Sequence, residues 1–230
     1  MIKVPYTNFK KQWIEEKQDI IKVISNVYKN GQFVNEKEVK KFEKNLAKFC
    51  GVRYAVGLNS GTDALTLGLL LIGVRKNDEV ITPPNSFISS TSSITHIGAK
   101  PVFVDVLDNQ NINPDLIEKS ITKKTKAIMA VHLTGRVADM IKIYKISKKY
   151  KIPIIEDAAQ SIGSKLNGKL AGSFGKVGCF SFAPNKIITT GQGGAIVTND
   201  RSIYKKLSRL KDQGRVGPTT GGEDNYISIG

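Results

Sequence analysis

From Tyr54 onward, short apolar runs alternate with stretches of helical spacing, and this alternation restricts the fold more than any other feature. Residues 79–83, 101–106, 126–131, 153–155, 177–182 and 195–198 read as strands, several of them leaving into Pro- or Gly-rich turns. Between them, 64–71 reads as an apolar helix, and 139–149 carries Ile141, Tyr144 and Ile146 at helical spacing. Strands that alternate with helices predict an α/β fold: a mainly parallel sheet sandwiched by helices. Upstream, Ile14, Ile20, Ile21, Ile24 and Val27-Tyr28, then Val39, Phe42, Leu46 and Phe49, predict two helices broken at Gly31. The expected organisation is an N-terminal helical segment over 1–50 and a large α/β domain over 51–230.

Ligands of such sheets bind beyond the carboxyl ends of the strands, and three polar elements fall there. The run Ile154-Ile155-Glu156-Asp157 ends in an acid. Lys186 follows it by 29 residues (186 − 157), after Ser181-Phe182-Ala183-Pro184-Asn185 and before the glycine-rich Thr190-Gly191-Gln192-Gly193-Gly194. Ser60-Gly61-Thr62 stands between the strand end Val56-Gly57-Leu58 and the helix at 64–71. Taken singly, each has an ordinary reading: a solvated lysine, a strand end or helix cap, a Ser/Thr N-cap. Taken in order, they supply what pyridoxal phosphate (PLP) requires. A lysine forms an imine with the aldehyde, and a carboxylate keeps the pyridine nitrogen protonated so that the ring accepts electrons. A helix start with small residues and free N–H groups admits the phosphate.

In these and other motifs the chain resembles the nucleotide-sugar aminotransferase family, also called the DegT/StrS family, of fold type I PLP enzymes. The resemblance runs over nearly the whole chain. It covers Gly31-Gln32-Phe33-Val34, Val39-Lys40-Lys41-Phe42-Glu43, Ser60-Gly61-Thr62-Asp63-Ala64-Leu65 and Asn77-Asp78-Glu79-Val80-Ile81-Thr82-Pro83. It continues through Pro101-Val102-Phe103-Val104-Asp105, Ala130-Val131-His132-Leu133-Thr134-Gly135, Glu156-Asp157-Ala158-Ala159-Gln160 and the Lys186 segment. No single motif decides; the ordered set is specific.

The resemblance implies a role for each matching residue. Lys186 would carry the imine and shuttle the proton. Asp157 would pair with the pyridinium nitrogen, and Gln160 would bond the ring hydroxyl. Gly61, Thr62 and Ser181 would hold the phosphate. Phe87 would stack on the ring, a role suited to an aromatic face. For His132, substrate contact and buried structural histidine remain equally open. Asn185 stands where many members have Thr, Gln192 where they have Glu or Asp, and Glu36 where Gly is common. The implied activity is transfer of an amino group from an amino acid, glutamate being the expected donor, to a nucleotide-linked keto-sugar by a homodimer. The alternatives are a PLP-dependent sugar dehydratase, which carries His in place of the lysine, and a non-catalytic sensor. The family's longer chains also imply that a smaller C-terminal domain is missing here.

The 35 Lys and Arg against 20 acids give a net charge of +15. The lysines are scattered, with no basic helix or aromatic-interleaved motif, so no nucleic-acid partner is expected. Cys50 and Cys179 form no CxxC pattern and predict neither a metal site nor a disulfide framework; both read as small buried residues of a cytoplasmic protein. No run approaches the ~18 apolar residues of a membrane span.

Overall fold

The computed structural model describes residues 4, 5, 7–31, 33 and 37–214. Glu36, parts of the Gly31–Val34 motif and everything after Gly214 lie outside the described residues. Two compact units are present, Met1–Lys41 and Phe42–Gly230. The division falls within the second helix. The reason is packing: Leu46, Ala47 and Cys50 are buried with Phe180, Phe182 and Ala195, so the end of that helix belongs to the sheet's core.

In the first unit, α1 (Phe9–Asn30) starts where the Asn8 side chain accepts from the Lys11 N–H at 3.0 Å. It stops at Gly31, whose φ of 61° lets its N–H turn back onto the Tyr28 carbonyl. This is the break expected from the sequence. α2 (Lys37–Cys50) crosses into the second unit.

The second unit continues β1 (Tyr54–Leu58), α3 (Gly61–Leu71), β2 (Glu79–Thr82), α4 (Ile88–His96), β3 (Lys100–Phe103), α5 (Pro114–Ile117), β4 (Thr125–Val131), α6 (Met140–Tyr150) and β5 (Ile154–Asp157). A small hairpin, β6 (Lys165–Leu166) and β7 (Lys169–Leu170), precedes β8 (Val177–Ser181), β9 (Gly194–Thr198) and α7 (Arg201–Leu210). The main sheet has the order β1-β9-β8-β5-β4-β2-β3. β3, β2, β4, β5 and β8 pair in parallel; β9 runs antiparallel to both of its neighbours. The expected mainly parallel sheet is therefore present, with one reversed strand that the apolar pattern did not announce. β3 is shorter than expected, ending at Phe103; beyond it the Asp105 carboxylate takes the Val106 N–H at 2.8 Å. Among the described residues, no helix is long and apolar enough to cross a membrane.

Strand side chains alternate between the two faces. On one face Val80, Met129, Ile155 and Val177 pack with Leu65, Leu69, Ile94, Ile203 and Leu207 from the helices. On the other, Ile81, Ile128 and Ile154 pack with Ile117, Met140, Ile143 and Ile146. Burying each such side chain stabilises the fold by about 1.5–3 kcal/mol. Both faces are covered, as a parallel sheet requires.

The reversal of β9 has a geometric effect. The connection 182–193 leaves β8 at the carboxyl edge of the parallel strands and returns to that same edge. There, Gly194 pairs with Leu58, and a Cβ on Gly194 would collide with the Ser60 carbonyl oxygen. Only a residue without a side chain allows this approach. Gly194→Ala should therefore lower stability by roughly 1–3 kcal/mol, read as a shift of the urea midpoint at unchanged slope. An unshifted midpoint would rule out the close approach.

Candidate active site

β5 sends adjacent acids in opposite directions. Ile155 and Asp157 face the side covered by α3 and α4; Ile154 and Glu156 face the other. Asp157 is only 7% exposed. Its Oδ2 accepts from the Ser90 hydroxyl at 2.6 Å and its Oδ1 from the Ala159 N–H at 3.2 Å. Glu156 is fully buried and accepts from the N–H groups of Gly175 at 2.5 Å and Gly172 at 2.8 Å, and from His132 Nε2 at 2.9 Å. His132 Nδ1 accepts from the Ala138 N–H, so the ring proton sits on Nε2. Of the two roles open to His132, the structure supports the structural one: the ring is fully buried against Glu156.

The start of α3 forms a second part of the site. Ser60 caps the helix by accepting from the Asp63 N–H at 3.0 Å, and its carbonyl takes the Ala64 N–H. The N–H groups of Gly61 and Thr62 have no intrahelical acceptor, as for any first turn. A Cβ on Gly61 would stand 2.7 Å from Ser181 Cβ, so this turn sits directly against the end of β8. Thr62 Oγ1 lies 2.8 Å from Ser89 Oγ. Small residues and free donors thus meet at the positive end of a helix.

Lys186 occupies the loop between β8 and β9. Its N–H closes a turn on the Ala183 carbonyl at 3.0 Å, and the side chain is half-buried. Among the described residues its amine has no hydrogen-bond or ion-pair partner. The loop is pinned at its base: Phe182 donates to Gly193, and Thr189 and Thr190 both donate to Phe182. Gln160 Oε1 accepts from the Thr134 N–H at 2.9 Å, which leaves its NH2 group to act as donor. Thr134 holds a φ of 53°, uncommon for a β-branched residue. Phe87 precedes α4 and is 67% exposed.

The structure thus brings Gly61, Thr62 and Ser181 into one cradle. Asp157 lies beneath the first turn of α4, just after Phe87, and Gln160 is held by the loop after β4. Lys186 lies on the same edge without a direct bond to any of them. Ser86, Ser89, Ser90 and Glu156 went unrecognised in the sequence. Ser86 and Ser90, just before and within the first turn of α4 after a Pro-Pro turn, were the available signal for a hydroxyl pair. The two cysteines are buried, as expected. Burial, assisted by Glu156, pushes the Cys50 thiol up to about 12. Burial also holds Cys179 well above the usual thiol range, with help from Asp157 and Glu156. Neither is a reactive thiolate.

Comparison with known proteins places this geometry. Residues 14–228 match the DegT/DnrJ/EryC1/StrS aminotransferase family. The GDP-perosamine synthase of Caulobacter vibrioides is 45% identical over 186 residues, covering 80% of this chain and 48% of that protein. The chain thus spans about half the length of that curated relative. The crystal structure of S. venezuelae DesV in complex with ketimine intermediate has a TM-score of 0.91 at 34% identity, covering 98% of this chain and 62% of that one. The E. coli GDP-4-keto-6-deoxy-D-mannose-3-dehydratase with bound hydrated PLP has a TM-score of 0.80 at 33% identity, covering 85% and 52%. With the family matched across most of its length, and the same α/β architecture in solved relatives, the chain belongs to the DegT/DnrJ/EryC1/StrS aminotransferase family.

Proposed function

We propose that this chain is the cofactor-binding part of a PLP-dependent aminotransferase that moves an amino group from glutamate to a nucleotide-linked keto-sugar. The observation that carries the reading is the meeting, at one sheet edge, of a buried carboxylate, an amine without a partner among the described residues and a small-residue helix start. The donor set fits PLP. The Gly61 backbone lies against Ser181 with no room for a Cβ between them, the free N–H groups suit a phosphate dianion, and Asp157 suits a pyridinium N–H. PLP, when bound, supplies a carbonyl for the amine and a ring that accepts electrons.

The chain's residues then have distinct tasks. Gly61, Thr62 and Ser181 hold the phosphate. Asp157 anchors the ring nitrogen, and Gln160, its oxygen already taken by Thr134, donates to the ring hydroxyl. Phe87 covers one ring face. Lys186 would take a proton from the donor's α-carbon in the first half-reaction and deliver one to the sugar carbon that gains nitrogen in the second. The lysine favours transfer over the dehydration named for one structural relative. The relative named GDP-perosamine synthase supports a nucleotide sugar as the acceptor, within cell-surface polysaccharide synthesis.

The full protein is proposed to be a cytoplasmic homodimer. Large apolar side chains stand exposed along the site's edge, with Phe87 67%, Ile88 66% and Ile187 71% exposed. A rim of this kind suits a second copy. Light scattering of the full-length protein should give twice the chain mass; a fully active monomer would exclude the dimer.

Three outcomes test the activity. The PLP-loaded full-length protein should show a visible absorbance that glutamate bleaches with release of 2-oxoglutarate, and a suitable nucleotide keto-sugar should restore it. If no amino donor bleaches it, transamination is ruled out and the dehydratase or sensor reading moves ahead. Lys186→Ala should lose the absorbance and resist borohydride trapping; a trapped adduct on another lysine would refute the assignment. Asp157→Asn, which keeps shape and loses charge, should slow turnover about 100-fold or more while weakening PLP binding less. Near-normal turnover would remove Asp157 from its role.

A further inference from the structure

We infer that Ser90, supported by Ser86, is a positioning residue for the cofactor's ring nitrogen, acting through Asp157; this rests on the PLP reading above. Ser90 is fully buried on the inner side of α4, and its hydroxyl is 2.6 Å from Asp157 Oδ2. A serine hydroxyl has a single proton. A carboxylate can only accept, so that proton is committed to Asp157. Ser86 Oγ lies 2.6 Å from Ser90 Oγ, and with the Ser90 proton spent, Ser86 must be the donor of that bond. The result is an ordered chain, Ser86 to Ser90 to Asp157, with one direction of donation.

The chain does two things. It fixes the carboxylate's orientation, since Ser90 holds one oxygen and the Ala159 N–H the other. It also makes that orientation rigid, because hydrogen bonds to charged groups are the stronger kind. A pyridinium N–H keeps its proton best against a carboxylate lone pair aimed along it. Ser90 therefore sets how well the ring proton is held. Ser86 lies next to Phe87, so the same hydroxyl chain ties the segment bearing the stacking ring to the acid beneath it.

The test reads the ring nitrogen directly. Full-length protein is loaded with PLP carrying 15N in the ring, and its nitrogen resonance is recorded for wild type, Ser90→Ala and Ser90→Thr. In Ser90→Ala the resonance should move from the protonated toward the unprotonated position, and the glutamate half-reaction should slow about tenfold, the loss expected for one charge-assisted bond. Ser90→Thr keeps the hydroxyl and should restore both. A Ser90→Ala protein that binds PLP and retains the wild-type resonance would overturn the inference, however slow its turnover, because a packing defect does not move a proton. If Ser90→Ala fails to fold, Ser86→Ala becomes the decisive variant: it should give a smaller shift in the same direction, and no shift would overturn the inference. Failure of the wild-type protein to bind PLP is a separate result. It would sink the cofactor reading, and this inference with it.

Discussion

Glu156 is the interaction on which the site depends, although it takes no part in it. A carboxylate with no exposure to solvent is costly unless both of its oxygens find donors. Glu156 finds three, from Gly172, Gly175 and His132, and His132 is itself fixed by the Ala138 N–H. Two loops, one after β4 and one before β8, are thereby tied to the middle of β5. The strand's two-residue period then leaves Asp157 no choice of face. Anchoring one acid behind the sheet aims the next acid in front of it.

The reversed strand β9 does comparable work for the lysine. A parallel connection would carry the chain away over a helix. The antiparallel return brings it back to the edge it left, and hydrogen bonds among Phe182, Thr189, Thr190 and Gly193 close the base of the loop. The fit of Gly194 against Ser60, and of Gly61 against Ser181, then joins the lysine loop to the start of α3. These two glycines decide how close the segments come.

Which parts were legible follows from how far each feature reaches along the chain. Apolar periodicity is local, so most strands, α3, α6 and the break at Gly31 could be read directly. The order of Asp157, Lys186 and Ser60-Gly61-Thr62 is also a property of the chain, and the candidate site was drawn from it. α4 was missed because Ile88–His96 is dominated by serine and threonine and carries little apolar stripe. The reversal of β9 was missed because its run Gly194–Thr198 is buried throughout and reads the same in either direction. Bonds such as Ser90 to Asp157, 67 residues apart, or Gly172 to Glu156 depend on which strands become neighbours. That information lies in the packing and leaves no trace in local spacing.

The hydrogen-bond pattern also separates the groups proposed to hold a ligand from the group proposed to react with it. Asp157 is satisfied by Ser90 and Ala159, Gln160 by Thr134, Thr62 by Ser89 and Ser60 by Asp63. Each is fixed before any ligand arrives, so little reorganisation is required on binding. Lys186 is the exception. Its loop is pinned while its amine is left without a partner among the described residues. For the role proposed for Lys186, an anchored loop holds the half-buried side chain at the site's edge while its amine stays open to a ligand.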